Sequence, residues 1–79
     1  MSETHNRLRA ARIDVGMSQR DVAMVTGLDQ GAISRLERGR RRVTAEELAT
    51  FAKIYGVTTD WLVCRSESGG PTQPSAEAA

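Results

Sequence analysis

Apolar residues recur at helical spacing along most of the chain, and residues that cap or end helices separate the apolar segments. Leu8, Ala11 and Val15, at i, i+3 and i+7, predict a first helix over about residues 4–15, which Gly16 ends. Further helices are predicted over about 19–26, 30–38, 44–55 and 59–63. The pattern therefore predicts a small all-α domain, to which we assign residues 1–65.

The two helices after the first have the cap residues of a tightly joined pair. Ser18 and Asp21 are placed as a capping box, and Gly27 stands where the second helix should end in the left-handed conformation. Asp29 then caps the third helix, which Gly39 ends. Helices this short do not persist alone in water, so they must pack together. A turn of about 3–4 residues with a glycine predicts a helix-turn-helix.

Apolar spacing also assigns an inward face to each later helix. The fourth helix has the strongest start in the chain, a capping box formed by Thr44 and Glu47. In the fifth helix, Trp61 and Leu62 are expected to complete either the core or a dimer contact. The expected inward-facing residues are Val22, Val25, Ile33, Leu36, Leu48, Phe51, Ala52, Tyr55, Trp61 and Leu62.

Two charged residues fall on inward-facing positions. Arg12 lies within the apolar stripe of the first helix, and Glu37 follows Ile33 by four residues on the third. Opposite charges on two core-facing positions are expected to pair, because an uncompensated buried charge is costly. The alternative is that both side chains extend to solvent.

Composition indicates a single cytoplasmic domain. The 79 residues support one small domain, and no apolar run approaches the roughly 18 residues of a membrane span. The single cysteine, Cys64, excludes an internal disulfide and a cysteine-rich metal site, and it is typical of a reducing compartment. Residues 66–79 are small, polar and rich in proline and glycine, which predicts a disordered C-terminal tail.

No constellation of residues indicates an enzyme. The single histidine, cysteine and tyrosine lie far apart in the sequence, without a Gly-rich phosphate loop or a carboxylate pair. His5 lies in residues 1–5, which are expected to fray. We therefore expect no catalysis, no cofactor and no metal.

Basic residues are concentrated in one half of the chain. Residues 1–43 hold nine arginines and five acidic residues, whereas residues 44–79 hold two basic and five acidic residues. Three consecutive arginines, Arg40 to Arg42, follow the third helix and suit the phosphates of a polyanion. The alternative is an ordinary solvated run of charge.

An ordered set of residues lies within the stretch from about Leu8 to about Val63. Its members are Arg12, Gln19, Ala23, Gly27, Gln30, Ile33, Leu36, Glu37, Gly39, Val57, Asp60, Trp61 and Leu62. This set resembles the phage Cro/repressor-type helix-turn-helix family, also called the XRE family. The resemblance implies a compact five-helix, lambda-repressor-like domain that binds double-stranded DNA. It also implies a buried pair between Arg12 and Glu37. The alternative is a small helical bundle that binds no nucleic acid.

By this resemblance the third helix is the recognition helix, and its N-terminal residues face base edges in the major groove. Gly31 departs from the polar residue common at its position in the family, and the methyl group of Ala32 is expected to contact a thymine methyl. Gln19 is expected to bind a phosphate and to brace Gln30. The residues expected to contact bases are Gln30, Gly31, Ala32, Ser34 and Arg35. The residues expected to contact phosphates are Ser18, Gln19, Arg20, Arg38, Arg40, Arg41 and Arg42.

The implied function is a sequence-specific transcriptional regulator, a repressor that binds a palindromic operator. Specific binding in the family implies a homodimer, with its contact around residues 57–62. The alternative is an antitoxin or adaptor that uses the same fold to bind a protein. Such a partner would occupy the tail or the fourth and fifth helices.

Overall fold

The computed structural model describes residues 3–63, and α-helices make up most of this range. No helix bound differs by more than one residue from the predicted one, and the described range contains no strand, which confirms the all-α, five-helix fold. Cys64 and the predicted tail lie outside the described residues. The helices are α1 (Thr4–Asp14), α2 (Gln19–Thr26), α3 (Gln30–Glu37), α4 (Ala45–Tyr55) and α5 (Thr59–Leu62).

Side-chain caps begin every helix from α2 to α5. At α2, Ser18 Oγ accepts a hydrogen bond from the Asp21 amide at 3.0 Å, and the Asp21 carboxylate accepts one from the Ser18 amide at 2.9 Å. The Ser18 amide holds the pKa of Asp21 below its usual value. Thr44 and Glu47 form the same box at α4. Gly27 ends α2 at a φ of 82°, in the left-handed region that favours glycine.

The core forms where α3 packs on both α1 and α2, while α1 also packs on α4 and α5. The rings of Phe51 and Tyr55 stack with their centroids 5.9 Å apart. Burial raises the pKa of the Tyr55 hydroxyl, which therefore stays protonated. The core residues are Leu8, Ala11, Val22, Ala23, Ile33, Leu36, Phe51, Ala52, Tyr55, Val57 and Leu62.

Two residues that were predicted to face inward are exposed. Val15, the C-cap residue of α1, is 42% exposed. Val25 is 60% exposed. The buried face of α2 is centred between Val22 and Ala23, and Val25 lies about 110° from that centre at 100° per residue.

The prediction that residues 1–5 fray is wrong for the last two of them. α1 begins at Thr4, and His5 is half-buried against Gly39, in the turn after α3. A Cβ atom placed on Gly39 would lie 3.2 Å from the His5 ring, and the φ of Gly39 is 75°. Glycine therefore serves both the turn and the close approach of α1.

Residues 3–63 contain neither a membrane span nor a cluster of metal ligands. The two longest helices, α1 and α4, have 11 residues each, whereas a spanning helix needs about 20. No group of three or more His, Cys, Asp or Glu side chains in this range could hold a metal ion.

Candidate nucleic-acid interface

α3 has one apolar face that packs inward and one polar face that is open to solvent. Gln30, Gly31 and Arg35 are exposed and Ser34 is half-buried, and these four residues are the outward face of α3. They include four of the five residues that the sequence assigned to base contact. The inward face consists of the buried residues Ala32, Ile33, Leu36 and Glu37.

Ala32 is the fifth residue assigned to base contact, and the structure corrects that assignment. Its side chain is only 6% exposed, because a step of two residues from Gln30 turns it about 200° around the helix. Its amide donates to Asp29 Oδ1 at 2.7 Å, which caps α3. The Ala32 methyl group is thus directed into the protein and is not available to a thymine.

The guanidinium of Arg35 lies back over Gly31, one turn nearer the start of α3. A Cβ atom placed on Gly31 would lie 3.3 Å from Arg35 Nη1 and 3.9 Å from Asp29 Oδ1. Long side chains on helices point towards the N-terminus, so residues i and i+4 meet on one face. The positive charge of Arg35 therefore lies at the N-terminal part of the outward face.

Beneath this face, Arg12 and Glu37 form the ion pair expected from their inward positions. Arg12 Nε donates to Glu37 Oε2 at 2.7 Å, and Arg12 Nη2 donates to Oε1 at 3.1 Å. Arg12 Nη1 donates to the Met17 carbonyl at 2.8 Å, a partner that no side-chain pattern indicates. The two side chains are 11% and 3% exposed. The hydrogen bond to Glu37 raises the pKa of Arg12, so the guanidinium stays charged.

Gln19 also binds this carboxylate. Its Nε2 donates to Glu37 Oε1 at 3.1 Å, whereas the sequence led us to expect a brace on Gln30. A buried carboxylate accepts several hydrogen bonds, and a third donor adds to its compensation. Glu37 thus connects α1, α2 and α3, and it fixes the start of α2 relative to α3.

Three exposed arginines follow α3, and we call Arg38, Arg40 and Arg42 the arginine rim. The turn that carries them is tied to the end of the helix, because the Arg40 amide donates to the Arg35 carbonyl at 2.8 Å. The rim therefore has a defined position next to the outward face. Arg20, in the first turn of α2, is also exposed.

Arg41, which the sequence also assigned to phosphate contact, is half-buried and forms an ion pair with Glu47. Its Nη1 and Nη2 donate to the two Glu47 oxygens at 3.1 and 3.0 Å, and the two side chains are 31% and 19% exposed. This contact holds the pKa of Glu47 below its usual value. Glu47 already caps α4, so its carboxylate is fixed where Arg41 can reach it. Arg41 therefore fastens the turn to α4.

A family model described as helix-turn-helix matches residues 8–62, a range that begins in α1 and ends with α5. The match covers the ion pair, the outward face of α3 and the arginine rim. It therefore includes every element of the candidate interface.

The chain is also similar to solved structures of helix-turn-helix proteins. The restriction-modification controller protein C.AhdI from Aeromonas hydrophila is 30% identical, over 76% of this chain and 91% of its own, with a TM-score of 0.70. The clp gene regulator ClgR from C. glutamicum is 30% identical, over 80% of this chain and 82% of its own, with a TM-score of 0.72. The P22 c2 repressor, solved with a synthetic operator, shares the fold at 24% identity, over 84% of this chain and 100% of its own, with a TM-score of 0.75. The chain belongs to the Cro/repressor-type helix-turn-helix family.

Proposed function

We propose that the chain is a sequence-specific DNA-binding transcriptional regulator, a repressor and not an enzyme, whose α3 enters the major groove. The carrying observation is that Gln30 and Arg35 are exposed on α3, directly before the arginine rim. Glutamine pairs with two atoms of adenine, and arginine pairs with two atoms of guanine. The similarity of the chain to a controller protein, a gene regulator and a repressor solved with a synthetic operator supports this function.

We expect phosphate contacts on both sides of the outward face of α3. The arginine rim lies at one end of α3, and Arg20 lies in the first turn of α2. The backbone amides at the start of α2 favour an anion, since they carry the positive end of the helix dipole. Gln19 and the Ser18 hydroxyl are the other donors at that end. Together these groups set the position of α3 on the duplex without reading its sequence.

The proposed regulator acts as a homodimer, because one recognition helix reads only a few base pairs. Half-sites would lie about 34 Å apart on a near-palindromic operator. The proposed contact includes residues 57–62, where Trp61 is half-buried and Ile54 of α4 is also partly exposed. Arg7 fixes Trp61 by a hydrogen bond to its carbonyl at 2.9 Å and lies 4.8 Å from the centre of its ring.

The test of the function is a binding-site selection from random DNA, followed by the same selection with Arg35→Ala. The wild-type chain is expected to select a near-palindrome and to bind it as a dimer, measured by mobility shift and sedimentation. Arg35→Ala is expected to lose about 1–3 kcal/mol of discrimination at one base pair in each half-site. Arg38→Ala, the control from the rim, should weaken binding to all sequences alike. An unchanged base preference in Arg35→Ala would disprove its role as a reader.

The roles assigned to Arg40 and Arg41 predict different salt dependences. Arg40→Ala is expected to reduce the slope of log K against log salt by about 1 for each protomer, because one phosphate contact is lost. Arg41→Ala is expected to keep the wild-type slope but to lower the melting temperature, since Glu47 loses its partner. Anisotropy titrations at several salt concentrations and thermal unfolding measure both. Equal slopes in the two variants would contradict the distinction.

A further inference from the structure

We propose that Gly31 is a specificity-determining residue. Because Gly31 has no side chain, the Arg35 guanidinium lies over it, and one arginine occupies the surface of both position 31 and position 35 of α3. The inference rests on the proposed function, and it names how the reading surface of that function is built. It is carried by the position of Arg35 Nη1, 3.3 Å from where a Gly31 Cβ would be.

The backbone gives no reason for glycine at this position. Within residues 3–63, the four glycines with positive φ lie in turns or at helix ends, whereas Gly31 lies within α3 in ordinary helical conformation. Glycine inside a helix is destabilising relative to alanine. What glycine provides here is space, and the Arg35 guanidinium lies in that space.

The space is small enough for any side chain to disturb it. A Cβ atom at 3.3 Å from Nη1 is closer than ordinary van der Waals contact, so alanine would displace the guanidinium by a few tenths of an ångström. A leucine would extend further and cover the surface on which the guanidinium lies. Gly31 therefore permits the position of Arg35, and the size of the residue at position 31 controls it.

The position matters because the N-terminal part of a recognition helix is the part nearest the base edges. A large side chain at position 31 would cover this surface, and the Arg35 guanidinium would then lie further along α3. The Asp29 carboxylate lies on the same side of Gly31, with Oδ1 3.9 Å from the position of the added Cβ, and its negative charge favours a guanidinium there. The base that lies opposite position 31 is therefore contacted by Arg35, whose guanidinium can donate two hydrogen bonds to a guanine.

The test is a double-mutant cycle between positions 31 and 35, made on the full chain with the operator that the wild-type protein selects. Discrimination is the ratio of affinities for that operator and for one with the guanine pair replaced. Gly31→Ala is expected to raise the melting temperature and yet reduce discrimination about twofold to tenfold, in the range for coupled neighbours. Gly31→Leu should reduce it more. In an Arg35→Ala background, neither substitution should change discrimination further.

A second cycle supplies the matched control. Gln30 is adjacent to Gly31 in sequence, but we assign it a separate base, so the effects of Gln30→Ala and Gly31→Ala should add. If the effects at positions 31 and 35 also add, Gly31 acts by another route, such as close approach of its backbone to DNA, and the inference is overturned. If the wild-type chain selects no site at all, the proposed function itself fails. Unfolding curves for each variant separate either result from loss of the fold.

Discussion

Replacing Glu37 with alanine is expected to lower the free energy of unfolding by about 3–5 kcal/mol, the cost of leaving one partner of a buried ion pair uncompensated. Arg12 would keep its charge in a site where its side chain is 11% exposed. The Gln19 amide would lose its acceptor as well. Small domains have only about 5–15 kcal/mol of stability in total. Urea unfolding followed by circular dichroism measures the change.

Two further variants test whether the loss of stability in Glu37→Ala comes from the unpaired buried charge of Arg12. Glu46→Ala removes an exposed carboxylate from the first turn of α4 and is expected to cost less than about 1 kcal/mol. The double variant Arg12→Met, Glu37→Leu replaces the pair with apolar groups and should recover most of the lost stability. A loss below about 1 kcal/mol in Glu37→Ala would contradict the role assigned to the pair.

The affinity of the chain for its operator is expected to fall by about 10³–10⁵-fold between 50 and 200 mM salt. Two protomers would bring the exposed rim arginines and Arg20 to the duplex, which is within the range of about 6–10 phosphate contacts that gives such a dependence. Fluorescence anisotropy with labelled operator, in a series of salt concentrations, gives the slope.

The control for this prediction is Lys53→Ala, which removes an exposed basic residue of α4 outside the rim. Its slope should equal that of the wild-type chain. A wild-type affinity that changes less than about tenfold over the same range would mean that the arginines do not meet phosphates. The loss of affinity should be similar for operator and random DNA, because phosphate contacts carry no sequence information.

The features that the sequence predicted best are those decided within a few residues of chain. The capping boxes at Ser18 and Thr44 depend on a hydroxyl and a carboxylate three positions apart, and Gly27 depends on its own φ angle. Such signals fix where helices begin and end. The pairing of Arg12 with Glu37 was also predictable, because a charge on an apolar stripe requires a partner and Glu37 is an opposite charge at another inward-facing position.

The errors concern which way a side chain turns and which of several partners it meets. The outward face of α3 was identified, but Ala32 was assigned to it although the helical rotation turns that residue inward. Arg41 was grouped with the other arginines because the sequence shows one run of charge. Its contact with Glu47 depends on how the turn after α3 meets α4, and no local pattern encodes that geometry.

The contacts of Glu37 with Arg12 and Gln19 also separate the residues that hold α3 in place from those expected to contact DNA. The contacts that hold α3 in place are made on its buried side, by Arg12 and Gln19, whereas Gln30 and Arg35 point away from them. Residues of the outward face can therefore be exchanged at little cost to folding. Natural drift or deliberate redesign could give this scaffold a new target sequence while its architecture stays the same.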